Sequence, residues 1–276
     1  MKLASIVSAL LLLAVAPPAV AVDEGAPDGD RHPNVGLLGF DLDGSGPIPA
    51  AVLCSGSVLS DGLFLTAAHC ISAMPPDVDW VVTLEPGGPA NPVVLPGIFP
   101  DDFPHPLTVA ATRGGVAVVH PDFDPDTRRH DVAVVRFPPD TFAGVMPVDL
   151  PAAKQLDRVR GRGGLERSAF RLVGYGVDPE RGDGAPVFVM EGYRQTATAP
   201  FQALEHGRLV LDGRSGVTGQ GGLCYGDSGS PQFLGDSNLA VSLFSEHVAD
   251  CNGPLFGQRL DTRSERRFLA RFVDLP

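Results

Sequence analysis

"GGLCYGDSGS", residues 221–230, is the stretch on which the reading turns. It sets a small hydroxyl, Ser228, directly after an acid, Asp227, among glycines and four residues past Cys224. Taken singly, a serine in a glycine-rich loop is an ordinary loop residue. Two other segments change that reading. "LTAAHC" (65–70) runs from an apolar strand into a small-residue turn that holds His69. "RHDVAVVRF" (129–137) places Asp131 at the head of a second apolar, strand-like run. A serine hydroxyl is a weak nucleophile until a base takes its proton. The base in turn needs a fixed tautomer and a buried acid to stabilise its developing charge. Glycines beside the serine permit unusual backbone angles, and they leave backbone N–H groups free to face a developing oxyanion. Each of the three segments supplies one of these parts.

The rest of the chain narrows the setting. Lys2, the apolar run that follows, and "AVA" at 19–21 form the pattern of a secretory signal peptide over residues 1–21. The uninterrupted apolar run is too short for a comfortable membrane span. We therefore expect a secreted, extracellular protein over residues 22–276, with no membrane association after cleavage. The net charge of −12 becomes −13 once Lys2 is lost. Such acidity disfavours a nucleic-acid partner, because phosphates are repelled. Four cysteines behind a signal peptide argue for two disulfides. Three pairings are open; the short separations Cys54 to Cys70 and Cys224 to Cys251 favour local ones. No Cys-x-x-Cys spacing suggests zinc.

Short runs rich in Val, Leu, Phe and Ala alternate with Gly, Pro and Asp turns, among them "SGSVLS", "LFLTAA", "GVAVVH", "AFRLVGYGV" and "LAVSLFS". Frequent short strands of this kind read as an all-β sandwich or barrel. Asp-Gly pairs in 42–46 and 59–64 are hairpin chemistry. "RSERRFLARFV" (263–273) is the best helix, with Phe268, Leu269 and Phe272 on one face. The polar segment 150–168 reads as a connection between two halves.

"TAAHC", "DVAVV" and "GDSGSP", in that order, resemble the trypsin/chymotrypsin family of serine proteases over nearly all of residues 22–276. The chain is similar to secreted bacterial or fungal members, which often carry few disulfides. The resemblance implies two antiparallel β-barrels, about 22–150 and about 151–276, with the active site in the cleft between them and a C-terminal helix. It implies that His69 is general base and then acid, that Asp131 holds its tautomer, and that Ser228 forms the acyl-enzyme. Backbone N–H groups of Gly226 and Ser228 would form the oxyanion hole. Ser242 matches the serine that supports the buried acid, and the disulfides would be Cys54–Cys70 and Cys224–Cys251. Asp227 would receive the α-amino group of a new N-terminus, and "VDEG" (22–25) offers Val22 directly after the signal peptide. Signal cleavage alone would then suffice for activation. No cofactor or metal is implied, substrates are proteins or peptides, and a monomer is expected.

The pattern departs at the specificity pocket. Gly222, six residues before Ser228, stands where a trypsin-like enzyme has an acid that pairs with a basic substrate side chain. Phe244 stands where glycine is common and should narrow the pocket entrance. Together they point to a small or medium, uncharged P1 side chain, unless Glu246 or Asp250 reaches the pocket. Ser230 is a further departure, and it costs strain if that position needs a positive φ. "DFDPD" (122–126) reads as a solvated turn, and His105, His120, His130, His206 and His247 show no metal spacing. The competing reading is a catalytically idle relative that keeps the fold as a binding module. An esterase of the nucleophile-elbow type would place its histidine last, which is not the order here.

Overall fold

The computed structural model describes residues 25–41, 52–74, 78–87, 93–95, 112–180, 187–190, 193–214, 220–248 and 251–276. Residues 1–21, Val22, the 42–46 turn, His105 and Asp250 lie outside them. Six strands close the first barrel: β2 (Val35–Asp41), β3 (Val52–Ser60), β4 (Leu63–Thr66), β5 (Asp79–Thr83), β7 (Thr112–Val119) and β8 (Ala133–Arg136), in the order β2-β3-β4-β8-β7-β5. β1 (Ala26–Pro27) lies before them, and β6 (Val93–Leu95) pairs outside the barrel. A second ring closes through β9 (Ala169–Gly174), β12 (Gln195–Leu204), β13 (Arg208–Asp212), β16 (Pro254–Arg259), β15 (Ala240–His247) and β14 (Pro231–Leu234), which returns to β9. β10 (Asp178–Glu180) and β11 (Val187–Met190) join β6 in a small separate sheet. The fold is all-β with two antiparallel barrels, as the resemblance implied.

Closure follows from the alternation of the strands. In β8, Val134 and Val135 point to opposite faces, and both are buried. Val134 joins the core between the barrels, and Val135 joins the core of the first barrel. The Asp61–Gly62 turn joins β3 to β4, as hairpin chemistry predicts. The 150–168 connection is more ordered than its composition suggests. It carries α2 (Gln155–Gly161) and a 3-10 turn, with Leu156 and Leu165 wholly buried in the second core.

The termini cross between the barrels. β1 pairs with β12 of the second barrel, with Ala26 opposite Thr196. The C-terminal helix α3 (Arg263–Leu269) buries Phe268 and Leu269 with Val132 and Val134 of the first. It ends before Phe272, which still packs on that cluster. The core between the barrels therefore draws Val35, Leu65 and Val134 from one side and Val173, Tyr175 and Leu243 from the other.

One buried charge pair locks this arrangement. Arg194, 1% exposed, donates from Nε to Asp28 Oδ2 at 2.9 Å. Its other nitrogens donate to the carbonyls of Gly29, Val35 and Leu84 and to the Tyr175 hydroxyl. Burial by itself would raise the pKa of Asp28, but bonds from His32 and Arg194 hold it below the usual carboxylate value. Removing one member of a buried pair strands the other charge, at a cost of about 3–5 kcal/mol. Asp28→Ala should therefore lose about that much stability in urea unfolding. Arg31→Ala, at an exposed neighbour, should lose less than about 1 kcal/mol.

Candidate active site

The β4–β8 register brings the first two motifs together. Thr66 lies opposite Ala133, so His69, three residues past one, meets Asp131, two residues before the other. His69 sits in the one-turn helix α1 (Ala68–Ser72), directly after the buried Ala67 and Ala68. Its backbone N–H donates to Asp131 Oδ1 at 2.8 Å, and its Nδ1 lies 2.7 Å from Asp131 Oδ2. A carboxylate at Nδ1 requires the proton there, which leaves Nε2 as the basic nitrogen.

Asp131 is fully buried. Burial pushes its pKa up, but the His69 ring and backbone and the Ser245 hydroxyl outweigh burial and leave it lowered. Its charged form is thus retained inside the protein. The Asp131 N–H donates to Gln258 Oε1 at 3.2 Å, which braces the backbone from the second barrel.

The serine that donates to Asp131 Oδ2 is Ser245, not Ser242. Ser242 is wholly buried and donates to Gln232 Oε1 at 2.6 Å. A β-bulge is the reason. Phe244 pairs with Gly257 and Glu246 with Phe256, so Ser245 is the extra residue between them. A bulge re-aims a side chain that strict alternation would place elsewhere. Sequence alternation carries no sign of it.

The 226–230 turn is seated on the first barrel. Ser55 N donates to Ser228 O at 2.8 Å. Ser55 Oγ donates to Gly226 O at 3.0 Å and accepts Tyr175 N at 3.0 Å. Gly226 and Gly229 carry φ of +91° and +85°. A Cβ on Gly229 would lie 2.3 Å from Thr66 Oγ1 and 2.5 Å from Ser55 O, so glycine permits this approach. Ser230 is not a positive-φ position, so the expected strain does not arise. Its hydroxyl is instead fully buried without a hydrogen-bond partner.

Within the turn, Asp227 N, Gly229 N and Ser230 N donate to Cys224 O, Phe244 O and Asp227 O. Among the described residues, the N–H groups of Gly226 and Ser228 have no such acceptor. No hydrogen bond joins Ser228 Oγ to His69 Nε2; the Ser228 carbonyl lies 3.8 Å from Cys70 Sγ, beside the histidine. Asp227 is completely buried and accepts N–H bonds from Gly176 at 2.8 Å and Cys224 at 3.0 Å. Burial outweighs those bonds and pushes its pKa up to about 7.

Disulfides join Cys54 to Cys70 and Cys224 to Cys251. Gly222 is buried; a Cβ there would lie 2.7 Å from Gly213 O and 3.2 Å from Cys251 O. Phe244 does not narrow an entrance: it is wholly buried in the second core with Leu223 and Leu255. His247 stacks on it at 5.9 Å and meets Tyr225 edge-on at 4.6 Å. Glu246 lies 3.4 Å from Arg208, an ion pair that commits its carboxylate. Tyr225 escaped the sequence reading, and His247 entered it only as a histidine without metal spacing.

His120, His130 and Glu265 also converge. His130 Nδ1 lies 2.6 Å from Glu265 Oε1, and the two imidazoles stack at 5.0 Å. His120 Nδ1 accepts Asp122 N–H at 3.1 Å, so neutral His120 is protonated at Nε2. That tautomer does not suit metal ligation there. His130, read from sequence as a loop residue, has φ +58° and an acidic partner.

Comparison with known proteins follows the same lines. No family model matches the chain. It is 27% identical over 198 residues to collagenase from Hypoderma lineatum, covering 70% of this chain and 65% of the relative. The HL collagenase structure superposes with a TM-score of 0.62 at 19% identity, covering 92% of this chain and all of the other. Human heparin binding protein does so with a TM-score of 0.58 at 15% identity, over 91% and 98% of the chains. Among the described residues, no helix is long and apolar enough to cross a membrane.

Two substitutions test the seating of the turn. Ser55→Ala leaves Tyr175 N and Gly226 O without their partner and should cost about 1–3 kcal/mol in chemical unfolding. Ser230→Ala removes an orphaned hydroxyl and should be neutral, or stabilising by up to about 1 kcal/mol.

Proposed function

We propose that this chain, a relative of the trypsin/chymotrypsin-family serine proteases in fold and sequence, is a secreted serine endopeptidase. The observation that carries the reading is the buried Asp131 carboxylate bonded to both the ring and the backbone of His69. Ser228 Oγ attacks the scissile carbonyl carbon while His69 Nε2 takes its proton. The C–N bond then breaks as His69 returns that proton to the leaving amine, giving the acyl-enzyme. Water, deprotonated by His69, releases the acid and regenerates Ser228. The free N–H groups of Gly226 and Ser228 stabilise the oxyanion of both tetrahedral intermediates; one such donor is worth about 10²–10³ in turnover. The serine–histidine bond forms when substrate closes the cleft, as such bonds often tighten only in the bound state.

Asp227 supports the activation step. Among the described residues it is a buried carboxylate held by backbone N–H groups and by no cation. The Val22 ammonium, four residues before β1, would supply that cation once residues 1–21 are removed. The absence of any side chain at Gly222 supports an uncharged P1 residue of small or medium size. The fit of a collagenase relative is consistent with polypeptide substrates. A binding module that keeps the fold without the reaction is the competing reading, and heparin binding protein is a structural neighbour named for a ligand.

A fluorophosphonate probe separates the two. It should label the secreted protein at Ser228 and fail on Ser228→Ala; an unlabelled, folded wild-type protein would refute the endopeptidase. A diverse peptide library should show cleavage after uncharged residues, and dominant cleavage after Arg or Lys would overturn the pocket assignment. The pH dependence tests Asp227. A carboxyl raised to about 7 keeps its proton in the folded state where the unfolded chain has lost it. Stability of the form that retains residues 1–21 should therefore fall as pH rises from about 4 to about 7, by about 1.4 kcal/mol per unit. The form beginning at Val22 should not show this loss, because the ammonium stabilises the ionised acid.

A further inference from the structure

A groove of about 1010 Å³ opens behind Asp131, on the face formed by α2, the turn after β12 and the start of α3. Seven of its lining side chains are basic and three are acidic, in a chain whose net charge is −12. Arg208 and Arg259 are committed to carboxylates of Glu246, Asp157 and Asp261. Arg129, Lys154, Arg160, Arg263 and Arg267 are exposed and, among the described residues, make no ion pair within 4 Å, although the charges of Arg129 and Lys154 are felt by Asp124 and Asp157. Lys154 is the only lysine of the chain beyond residue 2. Seven cations gathered with three carboxylates repel on balance, so an anion that entered the groove would relieve them.

We propose that this groove binds a sulfated polysaccharide. The lining selects among polyanions. It contains one apolar side chain, Leu204, itself buried, and so offers no pockets for the apolar side chains of a peptide. It contains no Phe, Tyr or Trp, and so lacks the stacking platforms that single-stranded nucleic acids and their bases use. Guanidinium forks pair with two oxygens of a planar or tetrahedral oxyanion, and four of the five cations outside ion pairs are arginines. Sulfate esters remain charged at any physiological pH. The bound chain would lie against His130 and Gln258, which flank and brace Asp131.

The test needs no catalysis and is run on the Ser228→Ala protein, so its outcome is separate from that of the protease reading. Binding of fluorescent dextran sulfate is followed by anisotropy from 0.05 to 0.3 M NaCl, with neutral dextran and poly-glutamate as comparisons. Dextran sulfate should bind, neutral dextran should not, and log Kd should rise linearly with log salt. Arg263→Ala/Arg267→Ala and, separately, Lys154→Gln/Arg160→Gln should each weaken binding at least tenfold, with a salt slope lower by about 2. Arg214→Ala, outside the groove, should change binding less than twofold. All these positions are exposed, and an unchanged melting temperature shows that each variant is folded. Absence of binding at 0.15 M NaCl overturns the proposal. So does tighter binding of poly-glutamate, or equal loss in the Arg214→Ala and groove variants.

Discussion

The cleft depends on the way the 226–230 turn rests on Ser55. One backbone bond, from Ser55 N to Ser228 O, and one hydroxyl shared between Gly226 O and Tyr175 N bind the second barrel to the first. A backbone carbonyl and N–H buried between barrels must find partners or pay the desolvation of a polar group. Here each is met by the opposite barrel, so the barrels cannot shift without breaking bonds at the nucleophile turn. The Cys54–Cys70 disulfide adjoins the same residue and ties β3 to the helix carrying His69. Ser228 and His69 are thus both referred to one point, Ser55.

Buried charge sets the other constraints. Asp131 keeps its negative charge in a dry site because three donors replace water. Asp227, equally buried, has only backbone donors among the described residues, and its proton affinity rises accordingly. Two aspartates in comparable burial therefore differ in protonation because one faces a histidine ring and a serine hydroxyl and the other does not. Arg194 solves a third version of the problem by directing its donors to Asp28 and to the carbonyls of Gly29, Val35 and Leu84. Each is costly to bury, and each sits where two segments distant in sequence must be held together.

The basic groove shows a different balance. Most basic residues of an acidic protein would be expected to pair with the plentiful carboxylates, and Arg171, Arg208, Arg214 and Arg259 do so. Those outside ion pairs, on α2, α3 and the Arg129 segment, come from places that are far apart along the chain. Composition averages them away, so the sequence reads as uniformly acidic.

Much of the architecture was legible in the letters. Alternating short apolar runs and turn residues determine strands, and three ordered motifs determine which strand ends carry His69, Asp131 and Ser228. Local cysteine separations favoured the pairing that forms. What escaped was any contact set by register rather than by neighbours in sequence. Ser245 reaches Asp131 because of a bulge, while Ser242, the residue that the resemblance suggested, turns to Gln232. Phe244 lies in the second core, with His247 stacked on it. The sequence by itself determined the fold and the chemical groups, since periodicity and motif are properties of short segments. Only the tertiary structure decided which serine braces the acid, where the basic side chains gather and which glycine admits the barrels to contact, because those depend on distances between residues that the chain separates by a hundred positions or more.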